Sequence, residues 1–304
     1  MDGSIHIPFE VFNALLLALF AVVPIVALVI TANPEWGDAR VAQLSLRARL
    51  PLGQDTTRRS LRQRSRALLR ANMWGLLATM LVFGSITFLT PLGTSPFMGW
   101  FLALAILFVV VTGCSAIVTT RERLFSPAPA APRVARAQTL TVREYVGRWR
   151  AALPIVLLVC AAILGVAAGI AIILGAIPRS YAPWLAATGA LAVAATVAGW
   201  AIERRILAQP QPASDTLELA WDDLFRTDAL ATLRMGAAMV AWLPVGLATA
   251  LLVLAAIPFA TAESILGLFP WFGIPLLQVI YAIGQNRLAP RLYPDFLRTG
   301  PATA

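Results

Sequence analysis

Few residues in this chain could do covalent or metal chemistry. His6 is the only histidine among 304 residues, Cys114 and Cys160 are the only cysteines, and all 24 basic residues are arginine. His-ligated haem, His-based zinc sites and Ser–His or Cys–His nucleophiles each need an imidazole that the apolar runs do not supply. Without lysine no Schiff base can form, and no glycine-rich phosphate loop occurs. Both cysteines sit inside apolar runs, where a free thiol packs as a small hydrophobe. An enzyme is therefore not expected, and neither is a cofactor or a metal.

Three polar constellations remain. Residues 54–70, QDTTRRSLRQRSRALLR, carry Arg58, Arg59, Arg62, Arg64, Arg66 and Arg70 on one expected helix, which Asp55, Thr56 or Thr57 could cap. Beside a bilayer such a helix attracts anionic headgroups, at about 1 kcal/mol per arginine near the surface. It also serves as a topology signal. Nucleic acid is not an expected partner for a basic helix so close to a bilayer.

Residues 214–234, SDTLELAWDDLFRTDALATLR, differ in kind. Leu217, Trp221, Leu224 and Phe225 follow the i, i+4, i+7, i+8 pattern of an amphipathic helix, with Ser214 or Asp215 as cap. Asp215, Glu218, Asp222, Asp223 and Asp228 outweigh Arg226 and Arg234. Anionic lipid repels such a helix, so its expected partner is the basic 54–70 helix or a protein, with Leu217, Trp221, Asp222, Asp223, Leu224 and Phe225 as the docking face. Asp222 and Asp223 are adjacent and point about 100° apart on a helix of 3.6 residues per turn, which argues against a metal site. The third constellation is Gln278 with Tyr281, three apart on an apolar run and expected to share a face as an intramembrane polar contact.

The elements that position these residues follow from composition. The chain is 59% hydrophobic and 13% charged, with mean hydropathy +0.77; a soluble domain has about 45–50% apolar and about 25% charged residues. Apolar runs long enough to cross about 30 Å of hydrocarbon fall at 12–31, 71–90, 97–120, 151–177, 183–202, 236–257 and 265–285. The expected fold is all-α: a polytopic transmembrane bundle of seven spans in one integral membrane domain, residues 1–304. Segments 32–70, 121–150, 203–235 and the tail from Asn286 hold every arginine but Arg179. Arginine-rich loops stay in the cytoplasm, which puts the N-terminus outside and the C-terminus inside. The N-terminus lacks a basic residue, so the first run reads as a retained helix rather than a signal peptide.

Arg123, Arg205 and Arg287 recur at intervals of 82 residues, each shortly before a proline. One span followed by three repeated helical hairpins would produce that pattern. The outer turns open at Pro91, Pro178 and Pro258. Within the spans, Pro244, Pro270 and Pro275 would kink helices, and Gly165 with Gly169 forms a small-xxx-small pair expected to pack inside the bundle. Tyr145 and Trp149 are expected on one face of a short interfacial helix beginning near Thr139 or Thr141. The absence of lysine hints at a GC-rich genome, and the expected location is a bacterial cytoplasmic membrane. The uncharged spans and charged loops suggest the membrane component of a larger complex, permease-like or accessory. A stand-alone transporter or channel for a lipophilic or weakly polar solute is the alternative.

Overall fold

The computed structural model describes residues 9–89, 96–121, 140–211, 213–257, 273, 275–282 and 292–293. The helices are α1 (Phe9–Ile30), α2 (Pro34–Ala48), α3 (Asp55–Leu89), α4 (Pro96–Arg121), α5 (Val142–Val146), α6 (Arg148–Ile173), α7 (Ala182–Ala208) and α8 (Thr216–Ala256). A 3-10 turn at Arg179–Tyr181 leads into α7, and residues 275–282 form a further helical stretch. Among the described residues there is no strand.

Five helical segments are long and apolar enough to cross a membrane: α3, the Leu104–Arg121 part of α4, α6, α7 with its leading turn, and α8. A sixth is possible if α1 and α2 form one span, broken by a bend of 96° between Leu17–Ile30 and Glu35–Ala48. Five of the seven expected runs thus stand as candidate spans among the described residues. The run at 12–31 appears as the 22-residue helix α1, which carries Pro24 and of which Leu17–Ile30 enters the broken pair with α2. The run at 265–285 is described only at 273 and 275–282. The turns at Pro91 and Pro258, the segment 122–139 with Arg123, and the residues Pro270 and Arg287 lie outside the described residues.

α8 is the axis of the bundle. In its most apolar stretch 72% of residues are buried, against 17% for α3, α6 and α7 and 28% for α4. Leu230, Leu233, Val240, Leu243, Leu247 and Leu251 of α8 are all inside. The outer helices each give one face to this axis and turn the other outward. On α6 the outward face is Ile155, Val159, Ile163, Val166, Ile170 and Ile173, all exposed. A continuous exposed aliphatic face of this kind suits lipid, not water. The chain is a helical, membrane-embedded protein.

Local sequence explains the helix ends. Asn33 accepts the Glu35 N–H at 2.9 Å, with Pro34 at the first helical position of α2. Arg49 closes α2 in the left-handed region, φ 55. Asp215 caps α8 by accepting the Glu218 N–H at 2.7 Å, and the Glu218 carboxylate reaches back to the Ser214 N–H at 2.8 Å. α3 begins at Asp55, so Asp55 sits in its first turn rather than capping it. Both α3 (35 residues) and α8 (41 residues) run unbroken from a charged segment into an apolar one. At about 1.5 Å per residue each exceeds a bilayer's hydrocarbon thickness by several turns, so their charged ends stand clear of it.

Two expectations on packing fail. Gly147 adopts φ 90 between α5 and α6, which rotates the chain so that Tyr145 is buried while Trp149 is 89% exposed; the two share no face. Gly165 and Gly169 face open space, where an added Cβ would meet nothing within 4 Å. The close approaches are elsewhere. A Cβ on Gly75 of α3 would lie 2.8 Å from the Cys114 Sγ of α4, and one on Gly236 of α8 would collide with Thr112 of α4.

Candidate functional site

The arginine-rich ends of the helices fold together into a cap. α2 lies along α3, and the first turns of α8 close over both. Val41, Leu50, Leu61, Trp221 and Tyr293 are among the residues buried between them. Trp221 is completely buried, donates its indole N–H to the Pro51 carbonyl at 3.1 Å and stacks obliquely on Phe225. Leu217 and Leu224 are half-buried on the same seam. The apolar stripe of the acidic segment thus faces inward, toward α2 and α3 of its own chain.

The acids beside that stripe are also engaged within the chain. Asp222 accepts from the Arg226 Nε at 2.8 Å, and Asp223 from the Tyr145 hydroxyl at 3.1 Å. Gln211 bridges both carboxylates at 3.0 Å each. Arg226 also donates to the carbonyls of Ile206 and Gln209 at 3.0 Å, which ties the end of α7 to α8. Burial pushes the Tyr293 phenol well above its ordinary pKa, and the carboxylates of Asp228 and Asp223 push it the same way.

The six arginines of 54–70 divide into three groups. Arg64 is buried and donates to the Val118 carbonyl of α4 at 3.1 Å. Arg62 pairs with Asp38 of α2, and Arg66 donates to the Asn33 carbonyl at 3.1 Å. Arg58, Arg59 and Arg70 are exposed. Of the basic helix, these three side chains remain as an outward-facing surface.

A second polar layer lies just inside the cap. Arg234 of α8 pairs with Glu203 of α7, Nη2 to Oε2 at 2.6 Å, and donates Nη1 to the Ala151 carbonyl of α6 at 2.8 Å. Glu203 is 2% exposed. The Tyr281 hydroxyl donates to the Arg150 carbonyl at 3.0 Å, and Arg150 donates Nε to the Ile280 carbonyl at 3.3 Å. Sequence reading assigned Glu203 and Arg234 to connecting segments because charge ends an apolar run. The available signal was helical spacing, since Glu203 continues the buried α7 face of Ala192 and Gly199. Tyr281 is buried as an internal polar contact, but Gln278 is exposed. The residue that shares the buried face is Leu277, because four residues along a helix depart by about 40° and three by about 60°.

Between cap and bundle is a cavity of about 410 Å³, walled by α2, α3, α4 and α8. Its polar lining includes Arg40, Arg64, Ser65, Asn72, Ser115 and Asp228, and Trp36, Leu68 and Phe225 contribute apolar surface. Ser115 donates to the Asn72 Oδ1 at 2.9 Å, which leaves the Asn72 amide N–H groups to offer elsewhere. Comparison with protein families, curated proteins and solved structures finds no match for this chain.

Proposed function

We propose that the chain is a non-enzymatic, multi-pass protein of a bacterial cytoplasmic membrane and serves as the membrane component of a larger assembly, permease-like or accessory. It carries seven spans with the N-terminus outside and the cap in the cytoplasm, an orientation supported by arginines concentrated at one end of the helices. It works without a cofactor or metal and does not bind nucleic acid.

The observation that carries this reading is the exposed Arg58, Arg59 and Arg70 on a cap continuous with the bundle through α3. A partner held there is coupled to the spans by one uninterrupted helix. The acidic segment 214–234 fastens the cap, and the arginine surface does the docking, to an acidic protein face or to anionic lipid. The test is charge reversal, Arg58→Glu, Arg59→Glu and Arg70→Glu together, read by native gel of gently solubilised membranes. A defined complex that collapses to the lone protein in the variant supports docking. The same migration for both proteins, with helicity retained, counts against it.

The alternative, a stand-alone transporter or channel, draws its support from the cavity beneath the cap. Solute flux into vesicles containing the purified chain alone would decide for it.

A further inference from the structure

The outward faces of three helices end toward the cap in the same way. On α7 the exposed stripe of Val193 and Val197 reaches Trp200 and then Arg204, each about one turn from the last. The Arg204 guanidinium lies over the Trp200 ring, 3.6 Å from its centre. On α3 the exposed stripe of Phe88, Ser85, Leu81 and Ala78 leads to Trp74 and then Arg70. Its one hydroxyl, on Ser85, turns back to the Leu81 carbonyl at 2.8 Å. On α6 the outward aliphatic face continues through Ala152 to Arg148, with Trp149 beside it. All three tryptophans are more than half exposed, which a core aromatic is not.

Contacts between the helices put these tryptophans at one height. Gly75 of α3 abuts Cys114 of α4, and Gly236 of α8 abuts Thr112 of α4. Since α3 and α8 lead away from the cap and α4 leads back to it, Gly75 and Arg234 stand level. Arg234 in turn reaches Glu203 of α7 and the Ala151 carbonyl of α6. Trp74, Trp149 and Trp200 each lie within about 5 Å, along their own helices, of Gly75, Ala151 and Glu203 respectively. From Trp200 back to Ala182, α7 covers about 28 Å at about 1.5 Å per residue, close to the hydrocarbon thickness of about 30 Å. An exposed tryptophan suits the boundary of that hydrocarbon, where its ring meets apolar chains and its N–H meets polar groups.

We infer that Trp74, Trp149 and Trp200 mark the hydrocarbon boundary on the cap side, and that Arg148 on α6 and Arg204 on α7 bind the headgroup phosphates of anionic phospholipids there. Both arginines are exposed, and among the described residues neither pairs with a carboxylate. Stacking on Trp200 uses the face of the Arg204 guanidinium and leaves its in-plane N–H donors to a phosphate. The Glu203–Arg234 pair then stands at the boundary rather than at mid-bilayer, where burying charge costs most. No docking partner is required. Arg58 and Arg59 stand at least about 22 Å farther along α3 than Trp74, beyond the Debye length of about 8 Å over which surface charge acts.

The test uses the full chain, purified in detergent, stripped of lipid and titrated with phosphatidylglycerol or phosphatidylcholine, with bound lipids counted by native mass spectrometry. Arg148→Gln with Arg204→Gln removes the two headgroup arginines. Arg58→Gln with Arg59→Gln removes the same charge away from the boundary. All four positions are exposed, so both variants should keep the fold, which circular dichroism checks. Arg70 stays in both, because it also belongs to the docking surface. The expected result is saturable binding that prefers phosphatidylglycerol, weakened about fivefold for each arginine lost in the first variant and unchanged in the second. Equal binding of the two lipids, or no saturable binding, overturns the inference. Equal weakening in both variants also overturns it, since the attraction would then belong to the charge of the whole cap.

Discussion

Arg234 on α8 holds Glu203 on α7 at 2.6 Å and with a second N–H grips the Ala151 carbonyl of α6 at 2.8 Å, so that one guanidinium joins three helices. Both side chains are largely shielded, at 13% and 3% exposure. Removing one partner leaves the other charge buried and unpaired, a loss of about 3–5 kcal/mol, whereas replacing both with apolar residues can be near neutral. Arg234→Met should therefore lower the midpoint of thermal unfolding markedly, and Glu203→Leu with Arg234→Met should recover most of it. If the single variant melted like the unaltered protein, the pair would have no structural role.

Trp221 should anchor the cap. Trp221→Ala empties a completely buried site and is expected to cost about 3–5 kcal/mol. Trp221→Phe keeps much of the volume but leaves the Pro51 carbonyl without its donor, for about 1 kcal/mol. Hydrogen exchange should accelerate in 41–61 and 216–226 for the alanine variant while α6 and the membrane half of α8 keep their protection.

Glycines separate used from unused helix faces. Gly236→Leu drives a side chain into Thr112, with an overpacking penalty of about 1–3 kcal/mol. Gly165→Ala enters open space on α6 and should be neutral or stabilising, by up to about 1 kcal/mol. Melting both variants in the same detergent gives opposite signs if α4 packs on α8 through Gly236 and α6 leaves its glycines outward.

Two groups outside the spans set the pH response of the cap end. The folded pKa of Tyr293 is raised by burial, so its contribution is complete below the unfolded value of about 10 and is lost as pH rises through the folded one. Alkaline unfolding should therefore begin at the cap, and Tyr293→Phe should remove that dependence. Glu144 is shifted the other way, held below its ordinary value by the Thr141 backbone N–H and then by the Thr141 hydroxyl. Its contribution is present above the unfolded pKa and fades as pH falls through the folded one, so α5 should loosen only in acid. Hydrogen exchange of the 142–147 amides, followed against pH, checks this.

The spans from α3 to α8 were legible because an apolar run of the right length records burial in lipid directly. Their polar ends were not. Glu203 and Arg234 look like loop residues one at a time, and only their partnership, contributed by two helices, takes them inside. The stripe of Leu217, Trp221, Leu224 and Phe225 was legible as a face, with the basic 54–70 helix among its expected partners, and it packs there on Leu61 and also on Val41 and Leu50, which periodicity did not point to. Pro51 is 170 residues away from Trp221 in the chain. Gly147 hid in a stretch that reads as one helix, and its positive φ turned Tyr145 and Trp149 apart.

The docking role of the cap is tested most directly by a photo-crosslinking residue placed at Arg59 on the exposed cap surface and, in a second protein, at Ile163 on the outward face of α6, both irradiated in native membranes. A discrete protein adduct at 59 and only lipid adducts at 163 is the predicted result. No protein adduct at 59, or the same pattern at both positions, would contradict docking to a partner protein and favour a chain that works without one.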